Sequence, residues 1–349
     1  MRRIMYNRYE QLRSGWKIAM IMGAFFIISL ILAMIFAISL VIVAAEFRDK
    51  VGTNIFSNLG NIMQTNYSLF AIVTIMQEIT FMLGAMILWK SLEKRPFREM
   101  GMSSLRKGFK DLFKGLVLGI LAVSAVLALL LATGNVTIQM GVYNPKLTSN
   151  LIYCFAMFAF VGLSEEIFAR GYCMTVLKQT GNRWVVVIVS SVVFSLMHLV
   201  NPFVTALGLF NIFLIGVLLA YMVFKTGSLW MPIGFHITWD FMLQNVYGFT
   251  AGEVQSQGYD LFSTRYVTEN IFNGGKYPQG GIAVSLVMLI FILFVWKMVR
   301  NRNNYWTAGK PQNEVIPAYI TLQVASDFTE PPAAVAPDNN TYLPENNNE

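Results

Sequence analysis

The chain has 349 residues, of which 55% are hydrophobic and 13% are charged, and its formal net charge is +7. An ordinary soluble domain carries about 25% charged residues, so this composition excludes a soluble globular protein and indicates an integral membrane protein. Most of the positive charge lies in short loops beside apolar segments, where it reports membrane topology and does not indicate nucleic-acid binding. The two cysteines, Cys154 and Cys173, are too few for a disulfide framework.

Eight apolar stretches reach or approach the length of about 20 helical residues that crosses a bilayer. They cover 17–46, 68–89, 112–133, 149–169, 184–201, 203–224, 229–248 and 280–299. The first stretch follows a basic N-terminus but far exceeds the apolar run of about 7–15 residues in a cleavable signal peptide, so we expect it to remain as a span. The sequence therefore predicts an all-α polytopic membrane protein of about eight transmembrane helices.

Positively charged loops predict which side of the membrane each connection occupies, because Lys and Arg accumulate in short cytoplasmic loops. The basic N-terminus and the Lys-rich and Arg-rich loop 90–114 are assigned to the cytoplasm, which places both termini there. Residues 1–300 are predicted to form the transmembrane domain. The segment 301–349 is rich in Pro, Asn and Glu and is predicted to be a cytoplasmic tail, mostly disordered. The Gly-rich loop 249–279 is expected to be an ordered or half-ordered external connection.

Few ionisable side chains lie inside the predicted spans, and each costs about 2.5–3.5 kcal/mol there, which makes every one a candidate for function. They are Glu78, Glu165, Glu166, Arg170, His198, His236 and Asp240. The chain has two histidines, and both lie in these spans. A single intramembrane histidine is more often a packing residue, but two, with none elsewhere in the chain, favour a common site. Glu78 is instead expected to make a structural hydrogen bond between helices.

Helical spacing separates the roles of the adjacent carboxylates. Residues four apart share a helix face, so Glu166 pairs with Arg170, and His236 pairs with Asp240 in the same way. Glu165 points about 100° away from Glu166, which leaves it free to face a different neighbour.

A count along the chain places Glu165 beside His198. Glu165 lies 16 residues before Gly181, and His198 lies 17 residues after it. In an antiparallel helical hairpin that turns at Gly181, both side chains are about 25 Å from the turn. His236 lies only nine residues after Gly227, where the next pair of spans turns. For His236 to reach the same height as Glu165 and His198, the first hairpin must extend roughly 12 Å further into the cytoplasm than the turn at Gly227.

Two imidazoles and two carboxylates suit two hydrolytic mechanisms. Glu165, His198, His236 and Asp240 could hold a divalent metal, most naturally zinc, together with a water molecule that the metal acidifies. Without a metal, Glu165 and His198 could deprotonate a water while His236 and Asp240 hold the oxyanion of the intermediate. Both mechanisms predict a hydrolase, and the sequence leaves them open.

Three short motifs carry a resemblance to a known family. The segments EEIFAR (165–170), FSLMH (194–198) and HITWD (236–240) resemble the ordered motifs EExxxR, FxxxH and HxxxN or HxxxD of the CAAX-protease and bacteriocin-processing (CPBP, Abi) family. The similarity covers about 150–247. Three such motifs in this order on hydrophobic helices form a more specific signal than any one of them alone.

The resemblance implies an eight-helix intramembrane endopeptidase of the cell membrane. It implies that Glu165 and His198 activate water, and that His236 and Asp240 are metal ligands or oxyanion stabilisers. The side chains in supporting roles are Glu166, Arg170 and Phe194. The expected partner is a membrane-associated peptide or protein of CAAX-like or bacteriocin type. The alternative function is a non-catalytic immunity or scaffold protein on the same fold.

Overall fold

The protein is described here by a computed structural model over residues 2–7, 12–46, 67–140, 147–201, 203–249 and 260–299. This part of the chain is mostly helical. Its α-helices are α1 (Arg2–Met5), α2 (Ser14–Glu46), α3 (Tyr67–Leu88), α4 (Leu105–Ala132), α5 (Leu147–Glu166), α6 (Met174–Leu177), α7 (Arg183–Met197), α8 (Ala206–Thr226), α9 (Trp230–Phe241) and α10 (Ile282–Met298).

Non-α segments interrupt or extend these helices. The π-helical segments are Trp89–Glu93, Ile167–Cys173 and Met242–Val246, and the 3-10 turns are Phe97–Met100, Lys178–Thr180, His198–Val200 and Pro278–Gly280. The strands are β1 (Val136–Met140) and β2 (Phe262–Tyr266). Two of the π segments directly follow the helices that carry the first and third motifs.

Four helical stretches in the described residues are long and apolar enough to cross a membrane: Ala71–Glu93, Phe97–Ala132, Ser149–Thr180 and Ala206–Thr226. Shorter apolar helices cover Ser14–Ile28, Arg183–Met197 and Ile282–Met298. Each predicted apolar stretch contains a helix, and the helical membrane character is confirmed. The number of eight spans and the side of each terminus stay predictions. The predicted tail 301–349, and residues 250–259 of the predicted external loop, lie outside the described residues.

Glycines let α4 and α9 approach until their backbones touch. A Cβ atom added to Gly115 would lie 2.0 Å from the carbonyl oxygen of Met231, and one added to Gly119 would lie 2.1 Å from Thr238 Oγ1. The two glycines are four residues apart and therefore share one face of α4, the arrangement of small residues that favours close packing of helices in membranes. This contact fixes the position of α9, the helix that carries the third motif.

A small antiparallel sheet joins distant parts of the chain. Strand β1 follows α4, and it pairs with β2 from Val136 opposite Tyr266 to Met140 opposite Phe262. The sequence analysis predicted only helices, so this sheet is an addition to the expected all-α fold. It shows that the later part of the predicted external connection is ordered, because β2 lies inside it.

The turn before α10 is attached to α8. The amide of the buried Asn211 donates to the carbonyl oxygens of Gln279 (2.7 Å) and Gly281 (2.9 Å). Tyr277 lies beside this turn, and burial raises the pKa of its phenol above the ordinary value, so its hydroxyl stays neutral. The turn Pro278–Gly280 is therefore a fixed element next to the cavity described below.

Candidate active site

The first motif lies where α5 passes into the π segment. A π-helical turn is wider than an α-helical one and occurs frequently at functional sites. Gly162 lies just before it, and a Cβ atom there would be 2.9 Å from Ile237 Cγ1 and 3.5 Å from His236 Cβ. The missing side chain thus allows α5 to approach α9 at the level of the two adjacent glutamates.

The ion pair expected from four-residue spacing is present and fully buried. Arg170 Nη1 lies 2.7 Å from Glu166 Oε1, and both side chains are 0% exposed. Arg170 Nη2 donates to the carbonyl oxygen of Gly216 on α8 at 3.2 Å. The guanidinium also lies over the ring of Phe194, 4.1 Å from its centroid. One charged pair therefore connects α5, α7 and α8.

His236 is held between carboxylates. Its Nδ1 lies 3.0 Å from Glu166 Oε1, and its Nε2 lies 3.3 Å from Asp240 Oδ2. An ionised carboxylate only accepts hydrogen bonds, so Nδ1 donates to Glu166. The ring orientation is thereby set, with Nε2 facing Asp240 and lying 3.9 Å from Glu165 Oε2.

His198 begins the 3-10 turn that follows α7. Its Nδ1 lies 2.9 Å from the carbonyl oxygen of Phe194, and because a carbonyl only accepts, Nδ1 carries the hydrogen. A neutral His198 thus has its lone pair on Nε2, which lies 3.9 Å from Glu165 Oε2. The Phe194 ring contacts both histidines, with centroid separations of 4.9 Å to His198 and 5.8 Å to His236.

Glu165 lies between the two imidazoles without a direct hydrogen bond. Its Oε2 is buried and has no hydrogen-bond partner among the described residues, and the side chain is 16% exposed. A separation of 3.9 Å exceeds the 2.7–3.2 Å of a direct hydrogen bond, but a water molecule can bridge it. The structure therefore brings Glu165, His198, His236 and Asp240 together, and the proximity of Glu165 to His198 is the one that the count along the helical hairpin predicts.

Glu78 contacts the site helix from α3. The hydroxyl of Ser164 donates a hydrogen bond to Glu78 Oε2, and Ser164 directly precedes Glu165. This is the hydrogen bond between helices that the sequence analysis expects for Glu78. It also connects α3 to the chain immediately next to the candidate catalytic carboxylate.

A cavity extends from this cluster. The site residues that line it are His198, His236 and Asp240. The other residues that line it are Phe194, Ile212 and Ile215, Phe235 and Trp239, and Gln279. Sequence analysis did not identify the α8 residues, Trp239 or Gln279. The sequence did carry a signal for Phe235 and Trp239 on α9. These two residues have the same four-residue spacing as His236 and Asp240 and adjoin them on the helix.

The four predicted ligands match zinc in donor type. His236 donates through Nδ1 to a carboxylate and His198 donates through Nδ1 to a carbonyl, the usual outer contacts of metal-bound histidines. Ligands about 2.0–2.1 Å from an ion lie about 3.3 Å apart in a tetrahedron, which the separation of His236 from Asp240 matches and the separations of Glu165 from the histidines exceed. Glu165 is 3.9 Å from each imidazole, and the described residues hold no group of three or more His, Cys, Asp or Glu that could bind an ion as it stands.

Comparison with protein families identifies the region that contains the cluster. The family described as type II CAAX prenyl endopeptidase Rce1-like matches residues 147–242, just over a quarter of the chain. All four candidate residues lie within the match, which is consistent with the CPBP family and confirms the resemblance drawn from the three motifs. Neither the curated proteins nor the solved structures gave a match to the chain.

Proposed function

On the premise that residues 147–242 form an Rce1-like domain, we propose that this protein is an intramembrane endopeptidase whose attacking water is activated by Glu165 and His198. The observation that carries the proposal is the position of Glu165 Oε2, buried, without a hydrogen-bond partner among the described residues, and 3.9 Å from the Nε2 atoms of both histidines. A carboxylate in that position can accept a proton from a water that an imidazole helps to orient.

The proposed reaction divides the four residues into two pairs. Glu165 takes a proton from the water, whose oxygen attacks the carbonyl carbon of the scissile peptide bond, while His198 Nε2 accepts a hydrogen bond from the same water. The carbonyl oxygen becomes an oxyanion, and the single Nε2 hydrogen of a doubly protonated His236 is shared between this oxyanion and Asp240. Asp240 holds that nitrogen in place. When the C–N bond breaks, Glu165 returns its proton to the leaving amine.

The supporting residues act through packing and charge. Glu166 accepts hydrogen bonds from both Arg170 and His236 through one oxygen, so it fixes the orientation of His236. The Phe194 ring contacts the guanidinium of Arg170 and both imidazoles. We propose that Glu166, Arg170 and Phe194 maintain the spacing of the reacting groups and take no direct part in proton transfer.

The proposed reaction uses no metal, because Glu165 lies 3.9 Å from each imidazole, farther than two ligands of one zinc ion lie from each other. Zinc binding stays a prediction of the sequence. If an ion binds, Glu165, His198, His236 and Asp240 are the residues that hold it, and it would acidify the attacking water. Measurement of the zinc content of the purified wild type against His236→Ala, together with activity after chelation, tests this possibility.

The proposed substrate is a membrane-associated peptide or protein, of CAAX-like or bacteriocin type, that reaches the protein from the lipid bilayer of the cell membrane. Two observations support it: the family match, and the apolar side chains of Ile212, Ile215 and Phe235 in the wall of the cavity. An apolar wall favours uncharged side chains beside the scissile bond.

The experiment is cleavage of a peptide library by the purified protein in lipid nanodiscs, with fragments identified by mass spectrometry. Glu165→Gln is the matched control, because it keeps the size of the side chain and removes the base. Cleavage by wild type alone supports the proposal. If the wild type cleaves nothing, and Glu165→Gln has no effect on accumulation of membrane peptides in cells, the enzyme assignment is wrong. The non-catalytic immunity or scaffold function then remains.

A further inference from the structure

Trp239 is buried without a hydrogen-bond partner for its indole nitrogen. The residue is 2% exposed, and Nε1 has no hydrogen-bond partner among the described residues. Among the buried side-chain N and O atoms of the described residues that lack a hydrogen-bond partner, Trp239 Nε1 is the one whose residue lines the cavity. A buried donor without an acceptor costs free energy, so this position requires an explanation.

Two other tryptophans in the described residues have acceptors for their indole nitrogens. Trp230, on the same helix, donates through Nε1 to the carbonyl oxygen of Ser103 at 2.9 Å. The buried Trp89 donates to the carbonyl oxygen of Arg95 at the same distance. The unpaired indole of Trp239 is therefore a local feature of the cavity and not a general property of this fold.

The indole is oriented by its neighbours. Phe235 and Trp239 stack, with ring centroids 6.0 Å apart and planes inclined by 11°. Both line the cavity together with the adjacent His236 and Asp240, which places all four on one side of α9. A substrate that reaches the histidines thus contacts the wall that Trp239 forms.

We infer that Trp239 binds the substrate by donating its Nε1 hydrogen to a backbone carbonyl oxygen of the bound peptide, which is not the oxygen of the scissile bond. The inference rests on the proposed function. Indole nitrogen only donates, so the ligand must present an acceptor. A carboxylate is disfavoured because Asp240 lines the same cavity, whereas a neutral amide carbonyl meets no such repulsion. Trp239 is thus a substrate-binding residue that positions the peptide for attack.

The first test replaces the indole N–H and keeps the ring. Site-specific incorporation of benzothienylalanine at position 239 substitutes sulfur for N–H with little change in shape, and Trp239→Phe is the genetically simple counterpart. For a peptide that the wild type cleaves, we expect KM to rise about three- to tenfold, the value of one hydrogen bond, with kcat changed less. Trp230→Phe is the matched control, since it removes an internal hydrogen bond on the same helix, and KM should not change. An unchanged KM with benzothienylalanine overturns the inference.

The second test does not require cleavage. In the Glu165→Gln protein, the ¹⁵N–¹H resonance of the Trp239 indole, identified by its absence in Trp239→Phe, is followed during titration with the same library of peptides. A downfield shift of this resonance supports the inference even if the wild type proves inactive. Peptide binding that shifts other tryptophan resonances and leaves this one in place overturns it. Absence of any peptide binding also overturns it. An inactive wild type whose Trp239 resonance still shifts separates failure of the proposed enzyme from failure of this assignment, and cleavage with an unshifted resonance separates them the other way.

Discussion

The adjacent glutamates of the first motif occupy contrasting environments. Glu166 is fully buried, and its Oε1 accepts hydrogen bonds from Arg170 at 2.7 Å and from His236 at 3.0 Å. Glu165 is one residue earlier, keeps 16% of its side chain exposed, and its Oε2 has no hydrogen-bond partner among the described residues. One carboxylate is used to hold the helices together, and the other is left available beside a cavity.

This contrast shows how a membrane protein can place reactive charge in an apolar medium. A buried charge is tolerated where an opposite charge and hydrogen bonds compensate it, and Glu166 has both. Glu165 lies close to two imidazoles but outside direct hydrogen-bond distance. Its carboxylate can therefore accept a proton from a water molecule. If this division is right, substitutions at the two positions should fail in different ways.

The largest effect is expected for Glu165→Gln. We expect kcat/KM for any cleaved peptide to fall by about 10²–10⁴, because the amide cannot accept the proton of the water. His198→Ala should lose activity by a similar factor. Thermal unfolding of both variants in detergent should stay within a few degrees of wild type, since neither residue makes the buried ion pair. Loss of folding in Glu165→Gln would contradict the division of roles.

The next effect is on stability. Arg170→Met or Glu166→Leu alone should destabilise the protein by about 3–5 kcal/mol, because each strands one buried charge. The double variant Glu166→Leu/Arg170→Met removes both charges and should recover most of that loss. Denaturant or thermal unfolding in detergent measures this cycle. A double variant no more stable than the single ones would show that packing of the guanidinium on Phe194 and its bond to Gly216 matter more than charge.

A third test addresses the support of α9. Gly119→Ala places a methyl group 2.1 Å from Thr238 Oγ1 and 2.5 Å from the carbonyl oxygen of Phe235, so α9 must shift. We expect a loss of about 1–3 kcal/mol in stability and a fall in activity through displacement of His236. Gly84→Ala on α3 is the matched control, because nothing lies within 4 Å of its added Cβ. That control should be neutral or stabilising by up to about 1 kcal/mol. Equal effects of the two changes would contradict the proposed helix contact.

Helices and the meeting of the four site residues were predictable from sequence for separate physical reasons. Hydrophobicity identifies the helices because lipid forces every backbone group to bond within its own segment. A count of about 1.5 Å per residue from the turn at Gly181 places Glu165 level with His198, even though the chain between Glu165 and Gly181 contains a π segment and a 3-10 turn. The ion pair between Glu166 and Arg170 follows from the spacing of helix faces.

Features that depend on pairing between distant segments were not predictable in this way. Strand β1 pairs with β2 across more than 120 residues, and neither segment carries a local signal for its partner. The π segments after Glu166 and Phe241 change helix phase without a proline to mark them. The unpaired indole of Trp239 is visible only in three dimensions, because a tryptophan in an apolar helix is indistinguishable by sequence from a packing residue.

The smallest expected effect, at Asp240, sharpens the comparison between the two hydrolytic mechanisms. Asp240→Asn keeps a group that accepts a hydrogen bond from His236 and adds an amide that can donate to the oxyanion. In the metal-free mechanism kcat/KM should therefore stay within about tenfold of wild type. If Asp240 instead ligates an ion, the amide is a poorer ligand, and zinc content and activity should fall together. Measuring kcat/KM and zinc content on one preparation of Asp240→Asn distinguishes the two mechanisms. A large loss of activity at unchanged zinc content would contradict the role of Asp240 in holding His236.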